Sequence, residues 1–135
     1  MTPAEVEKIF KKPGEKRYEY FIKKVAESEV VFGLGDEEGW AMLGDDENAD
    51  ILPFFPDPEI AETFRKAADF EEYDVMELDV NELLEWLDEM ETEGMLVAVC
   101  PNTEFNGAVV EPSLLKEDLL KELEQYDEDG KRITK

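Results

Sequence analysis

The sequence contains no histidine and only one cysteine. Without imidazole there is no Ser-His-Asp triad and no His-ligated zinc. With a single thiol there is no internal disulfide and no multi-cysteine metal site. Positive charge is scarce as well: 14 Lys plus Arg stand against 37 Asp plus Glu, a net charge of -23 over 135 residues. A field of that sign repels nucleic-acid phosphate and anionic membrane, so neither is expected as a partner. No apolar run reaches the roughly 18 residues of a membrane-spanning helix. The opening Met1-Thr2-Pro3-Ala4-Glu5 has no apolar block of the secretory kind. Together with the lone Cys100 in an apolar run, these absences lead to an expected cytoplasmic location. A phosphate-cradling loop is also missing, since Gly33-Leu34-Gly35 has no third glycine and no helix after it.

What is present suffices for a core. Apolar residues make up 42% of the chain, with eight Phe, four Tyr and two Trp. A chain of this length buries roughly two-thirds of its unfolded surface. One domain over residues 1–130 is the natural reading, with 131–135 as a frayed tail. The charge is unevenly spread. Residues 1–28 hold seven basic and five acidic groups, whereas the other 107 hold seven basic and 32 acidic. No basic residue occurs from Ala26 to Phe64 or from Ala67 to Leu115. A basic protein partner is the complement of such a surface.

Periodicity gives the elements. Thr2-Pro3-Ala4-Glu5 reads as a capping box before a short helix bearing Val6, Ile9 and Phe10. After Pro13-Gly14, residues 15–27 place Tyr18, Phe21, Ile22 and Val25 on one helical face. Strands are expected at 30–34, 40–43 and 51–55, joined by short turns as an antiparallel meander, with Pro53 demoting the third to an edge strand or to a strand with an early end. Asp57-Pro58-Glu59 opens a helix with Asp57 as cap. A strand follows near 73–78. Asp79-Val80-Asn81-Glu82 is a second capping box, before a helix carrying Leu83, Trp86, Leu87 and Met90. Residues 96–100 are the best candidate for a central strand, covered by that helix. Residues 108–111 form a last strand, and Ser113 caps a final helix. The pattern is α+β: a mostly antiparallel or mixed sheet of about six strands with about five helices packed on it.

Several runs resemble a small bacterial family. These are Arg17-Tyr18-Glu19-Tyr20-Phe21-Ile22-Lys23-Lys24-Val25, Gly39-Trp40-Ala41, Leu52-Pro53-Phe54-Phe55-Pro56 with Glu59 and Ala61, and Val97-Ala98-Val99-Cys100-Pro101. Gly107 to Pro112 and the leucine-rich end complete the set. Over about residues 15–126 they are similar, in order, to domain-of-unknown-function family twenty-seven-fifty. This chain departs from that family at Phe55 and Pro56-Asp57, where Trp and His are frequent. The resemblance implies a cytoplasmic bacterial protein and carries no activity. Leu52 to Phe55 before Asp57-Pro58-Glu59, with Val99 to Asn102, also resembles the N-terminal domain of the enhanced-serine-sensitivity family.

None of the candidate chemistry forms a catalytic motif. Asp36-Glu37-Glu38 and Asp45-Asp46-Glu47 with Asp50 are dense, but they sit in expected polar turns, whereas a general acid needs an apolar pocket. Asp46, Asn48 and Asp50 mimic the start of an EF-hand loop, but Ile51 stands where that loop needs glycine. Cys100 has no base beside it and lies in an apolar strand. No cofactor, catalytic residue or metal site is therefore expected. The expected function is a non-enzymatic acidic interaction module, immunity-like or binding a basic partner, acting as a monomer or symmetric homodimer. Trp40, Asp45, Asp46, Asp50, Phe54 and Phe55 are its candidate partner-binding residues. The alternative is a small-molecule-binding protein or a carboxylate- or metal-dependent enzyme.

Overall fold

A computed structural model describes residues 2–37, 39–42, 50–102 and 107–125. Helix α1 (Pro3–Phe10) opens on the capping box read from the sequence. The Thr2 hydroxyl accepts from the Glu5 N–H at 3.2 Å, and the Glu5 carboxylate accepts from the Thr2 N–H at 3.3 Å. Helix α2 (Gly14–Ser28) follows and ends at Glu29, which takes the left-handed conformation of a helix cap at φ 62°.

Strand β1 (Val30–Asp36) then runs between β2 (Gly39–Trp40) and β4 (Asp74–Asp79), antiparallel to both. A second sheet has the order β3 (Ile51–Phe54), β5 (Leu96–Val99), β6 (Ala108–Val110), with β3 parallel to β5 and β6 antiparallel to it. The sheets meet at one antiparallel bridge, where Phe32 and Phe55 exchange backbone bonds of 2.9 and 2.7 Å.

The meander expected over 30–55 stops after its first hairpin. Strand β3 pairs with β5, not with β2, and residues 43–49 lie outside the described residues. Strand β3 is an edge strand of its own sheet, as expected from Pro53. The carbonyls of Asp50 and Phe54 accept from Leu96 N–H at 2.9 Å and Cys100 N–H at 2.8 Å, so the even-numbered groups of this strand face β5. Pro53 is one residue out of phase and turns its nitrogen toward β1. The missing N–H costs the β3–β5 ladder nothing. It instead leaves β1 and β3 joined, among the described residues, through the Phe32–Phe55 bridge alone.

Side chains alternate across the strands and build two cores. Val31, Leu52, Phe54, Val97 and Val99 face one way and are covered by α2, α4 (Val80–Thr92) and α5 (Pro112–Leu123), through Phe21, Leu83, Leu87, Met90, Leu115 and Leu119. Phe32, Leu34, Phe55 and Cys100 face the other way, under α1 and α3 (Pro58–Ala67), with Val6, Ile9, Ile60 and Phe64. The five helices and two three-stranded sheets among the described residues make an α+β domain. Leu87, Met90, Val97, Val99 and Cys100 are buried as expected from their spacing, while Trp86 and Leu96 are half-buried.

Three helix starts differ from the sequence expectation. Asp79 caps α4 by accepting from the Asn81 N–H at 2.8 Å, and not through the reciprocal Glu82 bond of a capping box. Ser113 lies inside α5, whose cap residue is Glu111. The Ser113 N–H and hydroxyl donate to the Glu91 carboxylate of α4, at 3.3 and 3.0 Å. A charge from a neighbouring helix thus occupies the positive end of α5. Asp57 does precede α3, but its side chain makes no cap bond. It accepts instead from the Tyr20 hydroxyl at 2.6 Å.

Candidate binding surfaces

Among the described residues, the sequence-based partner residues Trp40, Asp50, Phe54 and Phe55 do not form one surface patch. Phe54 and Phe55 are fully buried, one in each core, so neither ring is offered to a partner. The reason is the position of β3 between helices on both faces, which makes its run apolar at every residue. Trp40 is half-buried, 4.9 Å from the Trp86 ring and 6.4 Å from Phe54. It lies over Gly33, where an added Cβ would come within 2.8 Å of Trp40 Cζ3. Asp50 is exposed at the start of β3. Asp45 and Asp46 lie outside the described residues.

A polar cluster that the sequence concealed sits at the carboxyl ends of β3 and β5. Arg17 is only 2% exposed. Its guanidinium donates to the carbonyls of Cys100 at 2.9 Å, Phe10 at 3.0 Å and Lys12, tying the α1–α2 turn to the end of β5. The signal was present, because Arg17 stands four residues before Phe21 and eight before Val25, on the buried stripe of α2. Cys100 is buried with φ 48°, and burial pushes its thiol up to about 12, which suppresses the nucleophilic thiolate.

Beside this cluster opens a cleft of about 1110 Å³, whose lining includes Val6, Phe10, Lys12, Arg17, Asn102 and Gly107. Glu7 and Glu15 also line it; both are exposed, and Glu7 pairs with Lys11 at 3.2 Å. Among the described residues no group of three His, Cys, Asp or Glu side chains could hold a metal ion.

Burial raises Tyr20 above the usual tyrosine value, and the hydrogen bond to Asp57 and that residue's charge add to the rise. The fold therefore favours the protonated phenol. Its contribution to stability is complete below about pH 10 and is lost as pH climbs from there through the raised folded value. Tyr20→Phe should be less stable than the parent near neutrality and lose less stability between about pH 8 and about pH 11. Urea midpoints at the two pH values check this. An unchanged alkaline loss would remove Tyr20 as its source.

The other surface is acidic. Strand β4 is the most exposed strand of its sheet, with Asp74, Met76, Glu77 and Asp79 all exposed. Helix α4 follows it without a break. Glu82, Glu85, Glu89 and Glu93 project from one side of α4 at its 3.6-residue repeat, all exposed, and none has an ion-pair partner among the described residues. Asp88, beside this stripe, pairs with Lys116 at 2.7 Å.

Residues 18–119 match the family model described as Protein of unknown function (DUF2750). The chain belongs to this family. The DUF2750 match opens in α2, one residue after Arg17, and closes in α5, so it takes in both sheets and leaves α1 outside. The acidic β4–α4 surface lies wholly within it. No curated protein and no solved structure matches this DUF2750 chain. None of its helices, among the described residues, is long and apolar enough to cross a membrane.

Proposed function

We propose that the protein is a non-enzymatic binding module whose acidic face, made by β4 and α4, docks a basic partner protein. The observation that carries this reading is the charge pattern of α4. Glu85, Glu89 and Glu93 are spaced at i, i+4, and like charges at that spacing destabilise a helix by about 0.2–0.5 kcal/mol per pair. Glu89, Glu91 and Glu93 crowd the carboxyl end, where the helix dipole favours cations, and no basic residue occurs in the last turn. Charges held against local helix stability are what a binding face requires. The buried, suppressed thiol of Cys100 fits a cytoplasmic setting and a non-catalytic role. An immunity-type role, in which the module neutralises a basic protein as a monomer or symmetric homodimer, falls within this class.

The test combines stability and binding. Glu89→Lys should raise stability by about 0.5–1 kcal/mol, because it meets Glu85 and Glu93 and completes the dipole. A basic protein captured from cell extract at low salt, then identified and purified, should bind Glu82→Lys/Glu85→Lys/Glu89→Lys far more weakly than the parent. The same number of reversals at Glu15, Glu19 and Glu27 on α2 keeps the net charge equal and should cost much less. Affinity that ignores both salt and the α4 reversals would overturn the proposal.

A second reading attaches to the cleft near Arg17. It lies beyond the carboxyl ends of the parallel pair β3 and β5, where α/β sheets commonly take ligands, and Lys11 and Lys12 line it. Its occupant would be a small anion. Saturable protection of the Asn102 and Gly107 amides by inorganic phosphate or a small carboxylate would favour this reading.

A further inference from the structure

We infer that β4 is a strand-addition site, at which an extended basic segment of the partner pairs with the open edge of the first sheet. This rests on the acidic-face reading and names how that face is used. The register with β1 couples Val31 to Leu78, Gly33 to Met76 and Gly35 to Asp74. The Phe32 N–H and C=O bond to Phe55, and the Leu34 carbonyl accepts from Ala41 N–H at 2.8 Å, so the even-numbered groups of β1 face away from β4. The odd-numbered groups of β1 therefore pair with Asp74, Met76 and Leu78, and the Val80 N–H continues that ladder to the Glu29 carbonyl at 2.9 Å. The backbone groups of Val75 and Glu77 point outward. They have no backbone partner among the described residues, since β4 ends its sheet. An unpaired strand edge is a template for another chain.

Charge selects the occupant. On one face of β4 the side chains outside the core are Glu77 and Asp79, and on the other Asp74 stands beside Met76, which is 41% exposed. Two copies of β4 paired with each other would bring carboxylates opposite carboxylates, which destabilises a ladder. A segment with alternate Lys or Arg and an apolar residue for Met76 meets complementary groups on both faces. The same charges that repel a second copy thus admit a basic strand.

The probe is an end-capped peptide of alternating lysine and valine, roughly the six residues of a common strand. A control peptide carries the same charge but is N-methylated at alternate residues. With the parent protein, the plain peptide should slow hydrogen exchange at the Val75 and Glu77 amides. N-methylation should weaken binding about tenfold, the effect of one or two lost backbone bonds. Glu77→Pro removes an outward N–H without touching the β1 ladder, so it should keep the parental thermal midpoint and lose a similar factor. Glu77→Lys, which keeps the N–H, gives the charge contribution separately should the proline variant misfold. Equal binding of both peptides, with Val75 and Glu77 unprotected, would overturn strand addition and leave the acidic-face reading standing. No binding of either peptide at low salt would overturn both.

Discussion

Arg17→Met should destabilise the protein by about 3–5 kcal/mol, because it removes several hydrogen bonds from a charged donor, each worth about 1.5–3 kcal/mol. Methionine keeps most of the side-chain volume, so the loss reports hydrogen bonds and not a cavity. The guanidinium serves the Phe10, Lys12 and Cys100 carbonyls together; the Cys100 bond is buried and the other two are half-buried, and a buried acceptor left bare costs about 1–3 kcal/mol. Their sequence separation explains the size of the effect: Phe10 and Lys12 close the α1–α2 turn, while Cys100 ends β5. Arg17→Lys should recover only part of the loss, because an ammonium cannot present the planar fork that reaches several carbonyls. Urea unfolding with an unchanged slope and a lowered midpoint is the expected record. A loss below about 1 kcal/mol would mean that water replaces the guanidinium at these carbonyls.

Leu87→Ala should cost about 2–5 kcal/mol, the range for truncating a buried leucine. Leu87 is fully buried in the core where α4 covers β5, among Leu83, Met90, Val97 and Val99. Tertiary packing on this face must also offset the like-charge repulsion on the outer face of the same helix. Leu87→Met, which keeps the volume, should cost less than about 1.5 kcal/mol. Differential scanning calorimetry on the two variants checks the pair. Equal melting temperatures for parent and Leu87→Ala would contradict the assigned core.

These effects show where the sequence was legible. The Thr2–Glu5 capping box and the stripes of α2 and α4 were readable because they depend on residues three and four apart. The Leu96–Val99 strand was readable because it is continuously apolar and flanked by Gly94 and Pro101. Strand order was not readable, because the parallel pairing of β3 with β5 is a contact across more than 40 residues with no local signature. Pro53 rightly marked an edge strand, but not which neighbour that strand pairs with, because that depends on the side its missing N–H would have faced. Asp57 and Ser113 have the chemistry of helix caps, yet Tyr20 engages the first and Glu91 supplies the second's role. Phe54 and Phe55 looked available as a surface pair only because a strand covered on both faces resembles an exposed apolar patch in sequence. Arg17 was legible in principle from its place on the α2 stripe, but its charge pointed the other way. The acidic stripe of α4 was visible as composition, whereas its join to the open edge of β4 needed the sheet.

The most direct test of the docking face is a residue-by-residue map of amide hydrogen exchange with and without the purified basic partner, at low and high salt. The expected result is protection concentrated in β4 at Val75 and Glu77 and along Glu82 to Glu93 of α4, with occupancy falling steeply as salt rises. Protection confined to the cleft around Lys12, Asn102 and Gly107, with β4 and α4 unchanged, would contradict it.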